Sequence, residues 1–75
     1  MMADAENKVL ATIPKNAREK IVIAETEYKG HDLIDMRVHY LDDHDKLKPT
    51  PKGIALARDT FLEFADAVQD VRAML

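Results

Sequence analysis

Two tyrosines in this sequence stand close to cationic residues, a pattern typical of surfaces that bind unstacked nucleic-acid bases. Tyr28 directly precedes Lys29, and Tyr40 follows Arg37 by three positions. Tyrosine rings stack on bases, at roughly 1–3 kcal/mol per base, while neighbouring cations contact phosphates. The alternative is that each ring packs at the edge of the core with its hydroxyl group in water. This alternative suits Tyr40, which shares the apolar face of its strand, and the residue types alone leave both interpretations open.

A group of polar residues around a predicted turn has the side chains that metal ions prefer. The group consists of His39, Asp42, Asp43, His44 and Asp45. Carboxylates suit a hard cation, and a pair of imidazoles suits a transition metal. The spacing lacks the glycine and the distal glutamate of a calcium loop. A solvated turn is therefore the favoured interpretation, with a metal-dependent structural module as an alternative, and we predict no metal site.

Catalytic chemistry has little support in the sequence. The chain has no cysteine and no serine, so the usual thiol and hydroxyl nucleophiles are missing. Its two glycines form neither a phosphate-binding loop nor a nucleophile elbow. We expect a binding protein that uses no cofactor, and not an enzyme.

The composition indicates one small globular domain. The chain has 75 residues, of which 47% are hydrophobic and 33% charged, and its formal charge is −3. A domain this small without disulfides usually needs a metal ion or a second chain for stability. The negative charge argues against a strongly electrostatic nucleic-acid binder. The acidic excess is, however, concentrated after residue 58, where four carboxylates accompany one arginine.

The pattern of apolar residues predicts a run of strands that position these side chains. Residues 1–12 are predicted as a mobile tail and residues 13–75 as the domain. Arg37 and His39 fall on the face of their strand that we expect to stay open. The predicted strands are Lys20–Tyr28, Asp32–Leu41, a third that begins at Leu47 and that its prolines either restrict to an edge or interrupt, and Gly53–Leu56.

From Arg58 onwards the apolar residues recur every three or four positions, which predicts an amphipathic helix capped by Asp59 or Thr60. Strands followed by a helix indicate an α+β fold with an antiparallel sheet. The apolar stripe of the helix has more surface than one small sheet needs, so we predict a homodimer interface. The stripe consists of Phe61, Phe64, Val68, Val71 and Leu75.

Three blocks of the sequence, in order and at matching spacing, resemble the transcriptional coactivator family of positive cofactor 4. They are Glu27–Arg37, with a Tyr-Lys-Gly turn and a Leu-Ile-Asp-Met-Arg strand, Lys48–Leu56, with a Lys-Pro-x-x-Lys-Gly-Ile pattern, and the terminal helix. The resemblance implies a curved four-stranded antiparallel sheet followed by one helix. It also implies a homodimer built largely through the helices, with single-stranded DNA in grooves formed by the sheets.

The same resemblance assigns DNA-binding roles to seven residues. Tyr28 and Tyr40 take the places of two stacking aromatics, the second of which is usually tryptophan. His31 stands where a lysine is common, and Ala57 stands where a polar helix cap is usual. The implied set is Tyr28, Lys29, His31, Arg37, Tyr40, Lys48 and Lys52.

We therefore expect a dimeric, sequence-nonspecific single-stranded-DNA-binding protein that acts in transcription or in DNA replication, recombination or repair. Duplex DNA and the transcription or recombination machinery are further candidate partners. The alternative is an adaptor that docks on a polymerase or recombination protein through its sheet face. The missing Ser- and Lys-rich tail favours a bacterial or phage protein in the cytoplasm; a eukaryotic member would be nuclear. No apolar run approaches the roughly 20 residues of a membrane span, so we expect no membrane partner.

Overall fold

The computed structural model describes residues 8–75, which form one antiparallel sheet and one helix. Each strand pairs with its neighbour along the chain, in the spatial order β1-β2-β3-β4. The predicted α+β fold, with a four-stranded antiparallel sheet and a C-terminal helix, is confirmed. The elements are β1 (Lys8–Pro14), β2 (Glu19–Tyr28), β3 (His31–Leu41), β4 (Leu47–Ala57) and α1 (Arg58–Met74).

The strands differ from the prediction at both ends of the sheet. Residues 8–12, predicted as part of a tail, belong to β1 and pair with β2. All seven residues of β1 are exposed, so no buried, alternating pattern marks this strand in the sequence. β4 is one strand and not two, because it stays paired with β3 on both sides of its prolines. The rest of the predicted tail, residues 1–7, lies outside the described residues.

A bulge in β4 explains how one strand accommodates these prolines. Three residues, Thr50, Pro51 and Lys52, face the single residue Val38 of β3. The Thr50 hydroxyl donates a 2.8 Å hydrogen bond to the Val38 carbonyl oxygen and accepts one from the Lys52 amide at 3.1 Å. The Thr50 hydroxyl thus provides hydrogen-bond partners for two backbone groups at the point where the strand pairing is interrupted. Pro51 has no N–H group, so it leaves no donor unpaired there.

Gly53 follows the bulge and lies against the backbone of β3. A Cβ atom at this position would meet the Met36 carbonyl oxygen and would lie 2.7 Å from the Arg37 Cα atom. Such a contact is with backbone, which cannot move aside as a flexible side chain can. Only glycine fits here without separating the two strands.

Strand pairing divides the side chains between two faces, because side chains alternate along a strand and paired residues point the same way. Arg58, the first residue of α1, donates a 2.8 Å hydrogen bond to the Glu25 carboxylate across β3, so the helix begins on the face of Glu25. We call this the helix face and its opposite the open face. The open face carries Lys20, Val22, Ala24, Tyr28, His31, Asp35, Arg37 and His39, and the helix face carries Ile21, Ile23, Glu25, Ile34, Met36, Val38 and Tyr40.

The core of the described residues is small. Only Val22, Ala24 and Ile34 among the apolar residues are buried, and α1 has no buried residue. The helix packs against β3 and β4 but leaves most of its predicted apolar stripe exposed; Val68 and Val71 are each 50% exposed. A single chain therefore covers only part of its apolar surface.

The start of α1 differs from the prediction. Ala57 is the N-cap residue and makes no side-chain capping hydrogen bond. The predicted cap by Asp59 or Thr60 is wrong, because the helix begins at Arg58 and both residues lie inside its first turn. In the described part of the chain, no helix combines the length and apolar character that crossing a membrane requires.

The two edges of the sheet have different surfaces. β1 exposes the apolar residues Val9, Leu10 and Ile13 along an edge with no proline before its last residue. β4 has Pro49 and Pro51 along its edge, together with the bulge. β1 also has a register shift, between Val9 and Ala11, but no proline inside it. Since prolines and bulges interrupt the row of hydrogen-bonding groups that an edge strand offers, β4 is the more interrupted of the two edges.

Candidate nucleic-acid interface

The turn between β2 and β3 presents an aromatic ring and a cation at its end. Lys29 and Gly30 have φ angles of 52° and 81°, as in a type I′ hairpin turn, and Tyr28 pairs with His31 across it. The Tyr28 side chain is 62% exposed, and the Lys29 Nζ atom lies 5.3 Å from the centroid of its ring. We call Tyr28, Lys29 and His31 the tip cluster. Its ring can stack on a base while the ammonium group contacts a phosphate.

The backbone of Lys29 is unfavourable for a residue with a long side chain. The left-handed region costs roughly 1–2 kcal/mol for most residues, and type I′ turns usually have Asn, Asp or Gly at this position. Lys29 holds a cation at the end of the hairpin despite this cost. Strained backbone of this kind is concentrated at functional sites, which makes Lys29 a candidate for binding and not only for turn formation.

Arg37 lies on the open face and is held by hydrogen bonds on two sides. Its Nε and Nη2 atoms donate to the Asp35 carboxylate, at 3.1 Å and 2.7 Å, and its Nη1 atom donates to the Thr50 carbonyl oxygen at 3.0 Å. The hydrogen bonds to Asp35 raise the pKa of Arg37. A guanidinium has five N–H donors, so two of them are not engaged by any residue between 8 and 75 and can meet a ligand.

A groove of about 450 Å³ runs along the open face between β1 and β4. Val22 and Ala24 form an apolar part of its wall, with Thr12 of β1 beside them and Arg37 and His39 on β3. No residue of α1 lines it. An apolar surface next to a fixed guanidinium can accommodate a flat base and an adjacent phosphate.

Two features of this groove are missing from the sequence analysis. Thr12 and Val9 line it, but they belong to the strand that was not predicted. His39 was placed on the open face beside Arg37 and was also considered with the polar turn, but it was not predicted to bind DNA, whereas it lines the groove. Its alternation with Arg37 along β3 predicted the face correctly and not the role.

The polar turn after β3 has a structural role. The Asp42 carboxylate accepts the backbone amides of His44 and Lys46, at 2.8 Å and 3.0 Å, and lies 3.5 Å from Lys48 Nζ. The amide of Lys46 is the main cause of a lowered pKa of Asp42. Between residues 8 and 75, no three His, Asp or Glu side chains come together as metal ligands would.

A second cluster lies at the other end of the β2–β3 hairpin. Tyr40 is 42% exposed and pairs with Lys48 on one side and with Glu19 on the other. We call Tyr40, Lys48 and Lys52 the far cluster. Its cations lie among carboxylates, because Lys48 contacts Asp42 and Glu19 is adjacent.

Glu19, paired with Tyr40, is the carboxylate of β2 beside this cluster. Hydrogen bonds from Asn16, at 2.8 Å, and from Lys15, at 3.0 Å, lower the pKa of Glu19, and the charge of Lys52 acts in the same direction. Lys52 lies in the bulge opposite Val38, two residues along β3 from Tyr40, and the bulge separates it from Lys48 along β4.

The seven predicted DNA-binding residues do not form one patch within a single chain. His31 and Tyr40 mark the two ends of the β2–β3 pairing, nine residues apart, which corresponds to roughly 30 Å along the strand. Tyr28 lies on the open face and Tyr40 on the helix face. The structure thus brings together Tyr28, Lys29 and His31, places Arg37 in the groove, and separates them from the far cluster.

Comparison with known proteins adds information on the family and the fold. Residues 15–67 match the sequence profile of the family described as Transcriptional Coactivator p15 (PC4). The fold is similar to a PC4 homologue from Burkholderia pseudomallei in two crystal forms. The first has a TM-score of 0.83 and 22% identity, with 89% of this chain and 90% of the other covered. The second has a TM-score of 0.81 and 23% identity, with coverage of 88% and 97%.

A more distant structural likeness is to a bacteriophage protein. The bacteriophage T5 homologue of the eukaryotic transcription coactivator PC4 is described as implicated in recombination-dependent DNA replication. Its TM-score is 0.72 at 17% identity, and the match covers 91% of this chain and 78% of that one. At such identities the likeness shows a shared fold. No curated protein sequence matches this chain significantly.

Proposed function

Because this chain belongs to the Transcriptional Coactivator p15 (PC4) family, we propose that it is a homodimeric, sequence-nonspecific single-stranded-DNA-binding protein. The observation that carries this proposal is the exposed Tyr28 ring beside Lys29, at the end of a hairpin that borders an uncovered groove. Its setting is transcription or DNA replication, recombination or repair. The description of the T5 relative, implicated in recombination-dependent DNA replication, supports the latter setting.

In this proposal a single strand lies along the open face. Its bases lie in the groove against the exposed apolar residues Val9 and Leu47, and its phosphates approach the N–H donors of Arg37 that Asp35 and the Thr50 carbonyl oxygen leave open. At the end of the face, Tyr28 stacks on a further base. Bases in a duplex are already paired and stacked, so this arrangement favours unpaired DNA.

In this proposal the far cluster and the tip cluster contact different nucleotides. Roughly 30 Å along the strands and opposite faces of the sheet separate Tyr28 from Tyr40. Adjacent bases cannot bridge this distance within one chain. We propose that Tyr40, Lys48 and Lys52 contact a distant part of a long strand, or a strand held by the second copy.

We propose that the second copy packs on α1. Phe64, Val68 and Val71 expose 39% to 50% of their surface on one side of this helix. Their spacing of three and four residues suits packing against another helix. Two copies related by a two-fold axis would cover the same stripe on each other, as in most homodimers.

The binding test compares a single strand with its duplex. We expect the protein to bind a fluorescent oligo-dT strand more tightly than a matched dT–dA duplex at low salt, in an anisotropy titration. Arg37 and Lys48 already contact carboxylates, so we expect about three neutralised phosphates and a slope of log affinity against log salt near about −2. No binding of the strand at low salt would overturn the proposal, and equal affinity for the duplex would remove the preference for single strands.

A substitution at Lys29 separates binding from folding. Asparagine is a preferred residue for the left-handed position of Lys29, so Lys29→Asn should leave the free energy of unfolding unchanged or raise it by up to about 1 kcal/mol. The loss of the cation should weaken binding of oligo-dT roughly fivefold, or about 1 kcal/mol. Lys29→Arg retains the charge and serves as the control, and Tyr28→Ala tests stacking. An unchanged affinity of Lys29→Asn, measured by anisotropy alongside thermal unfolding, would exclude Lys29 from the site.

A further inference from the structure

The three histidines of the chain occupy three different places. His31 belongs to the tip cluster, His44 lies in the exposed turn between β3 and β4, and His39 lines the groove of the open face. Of these, only His39 is absent both from the predicted binding set and from the structural hydrogen bonds of the turn. It is also half-buried, two residues along β3 from Arg37.

The charged groups that face His39 can be named from the strand pairing. Lys20 lies opposite on β2, and Asp35 and Arg37 precede it on the same face of β3. On β4 the paired residue is Pro49, which carries no charge, and the groove residues of β1 are uncharged. Asp35 is engaged by Arg37 at 2.7 Å, and Lys20 is the residue paired with His39, so the two cations outnumber the one carboxylate among these neighbours.

The surroundings of His39 in the free protein disfavour the charged imidazolium. Burial lowers the pKa of His39, and the positive charge of Arg37 acts in the same direction, against the opposing effect of Asp35. A phosphate entering the groove would favour the imidazolium instead, because a nearby anion stabilises the charged form.

We propose that His39 donates a hydrogen bond to a phosphate of the strand in the groove and takes up a proton when single-stranded DNA binds. This inference rests on the proposed function, and it adds to the site a residue outside the predicted set. The proton comes from solvent and is released when the strand dissociates. The strand therefore binds more tightly as the solution becomes more acidic.

The sign and size of this effect follow from linkage. If the strand raises the pKa of His39, affinity increases as pH falls through the interval between the bound-state and free-state values and is constant outside it. Each unit by which the pKa rises gives up to a tenfold gain in affinity. We expect the affinity for the strand to rise about threefold to tenfold as the pH is lowered from about 8 to 5.5. This rise is in addition to any effect of pH that a protein without His39 also shows.

The experiment uses the three histidines as matched variants. Affinity for oligo-dT, whose bases carry no group that titrates in this interval, is measured by anisotropy at constant ionic strength for wild type, His39→Gln, His31→Gln and His44→Gln. The pH dependence should be lost in His39→Gln and retained in His44→Gln. Titration calorimetry in two buffers of different ionisation enthalpy should detect proton uptake in wild type and none in His39→Gln.

The outcomes separate this inference from the proposed function. A His39→Gln protein that binds with the full pH dependence of wild type overturns the inference alone, and loss of the dependence in His31→Gln would place the proton at the tip cluster. No binding of oligo-dT at any pH overturns both. An NMR titration of the wild-type imidazole with and without oligo-dT needs no variant, and a His39 pKa that does not rise on binding would also overturn the inference.

Discussion

Gly53→Ala is expected to lower the free energy of unfolding by about 3 kcal/mol, and Tm by roughly 12–24 °C for a domain of this size. The added Cβ atom would meet the Met36 carbonyl oxygen and lie 2.7 Å from the Arg37 Cα atom. Both are backbone atoms of the central strand β3, so a change of rotamer cannot relieve the contact. Thermal unfolding at fixed protein concentration measures the loss.

The other glycine of the chain is the matched control. Gly30 has a φ angle of 81°, but nothing lies within 4 Å of the position its Cβ atom would occupy. Gly30→Ala therefore changes conformational preference without a clash, at a cost of about 1–2 kcal/mol. A larger loss for Gly30→Ala than for Gly53→Ala would contradict the close approach of β4 to β3.

The Gly53 substitution should also affect binding. Gly53 pairs with Arg37, whose guanidinium is held by Asp35 and by the Thr50 carbonyl oxygen in the adjoining bulge. Forcing β4 away from β3 moves that carbonyl and releases one side of the guanidinium. Affinity for oligo-dT should fall even under conditions where the variant is folded, whereas Gly30→Ala leaves the Arg37 contacts intact.

Val68→Asp is expected to dissociate the proposed homodimer. The Val68 side chain is 50% exposed in one chain and sits in the middle of the apolar stripe of α1. Placing an unpaired carboxylate in a helix–helix interface costs several kcal/mol, and about 3 kcal/mol corresponds to roughly a 150-fold weaker association. Sedimentation equilibrium should give the mass of one chain at concentrations where wild type has the mass of two.

A neighbouring residue provides the control for charge and helix propensity. Gln69→Asp places a carboxylate one residue further along, beside the stripe and not within it. It should retain the dimer. Far-UV circular dichroism reports separately whether the Val68→Asp chain keeps its fold, and a Val68→Asp protein that stays dimeric would mean that the interface lies elsewhere than on α1.

The central strands could be predicted because their side chains differ between the two faces. Ile34, Met36 and Val38 alternate with Asp35 and Arg37, and the observed register places the two groups on the helix face and the open face as expected. The regular spacing of apolar residues after Arg58 likewise predicted the helix. In both elements, apolar residues recur on one side, and this periodic pattern can be recognised without a structure.

The outer strands could not be predicted, for two different physical reasons. β1 is an edge strand whose residues are all exposed, so no selection for buried positions is visible in its sequence. β4 contains prolines that normally end a strand, and its continuity depends on Thr50 hydrogen bonds across the bulge. These contacts join residues distant in sequence, and local preferences do not contain them.

The candidate site, like the sheet, could be predicted only where the residues involved are close together in the sequence. The Tyr-Lys-Gly turn and the strand position of Arg37 could be recognised locally, and the alternation along β3 already placed Tyr40 on the apolar side. The groove could not be recognised, because it needs Thr12 of β1 and the apolar wall of β2 next to His39. The contacts of Arg37 and Lys48 with carboxylates could not be recognised from the sequence either. They reduce the number of cations that are free to contact phosphates.

The unequal edges of the sheet determine what kind of aggregate it can form. Fibrils grow because each added unit presents a fresh edge to the next, so a propagating unit needs two receptive ends. In this sheet Pro49, Pro51 and the bulge interrupt β4, so the edge that can pair further is β1, which has no proline before Pro14 and one register shift between Val9 and Ala11. Two copies joined through β1 would have β4 at both outer edges, and growth would terminate at the first addition.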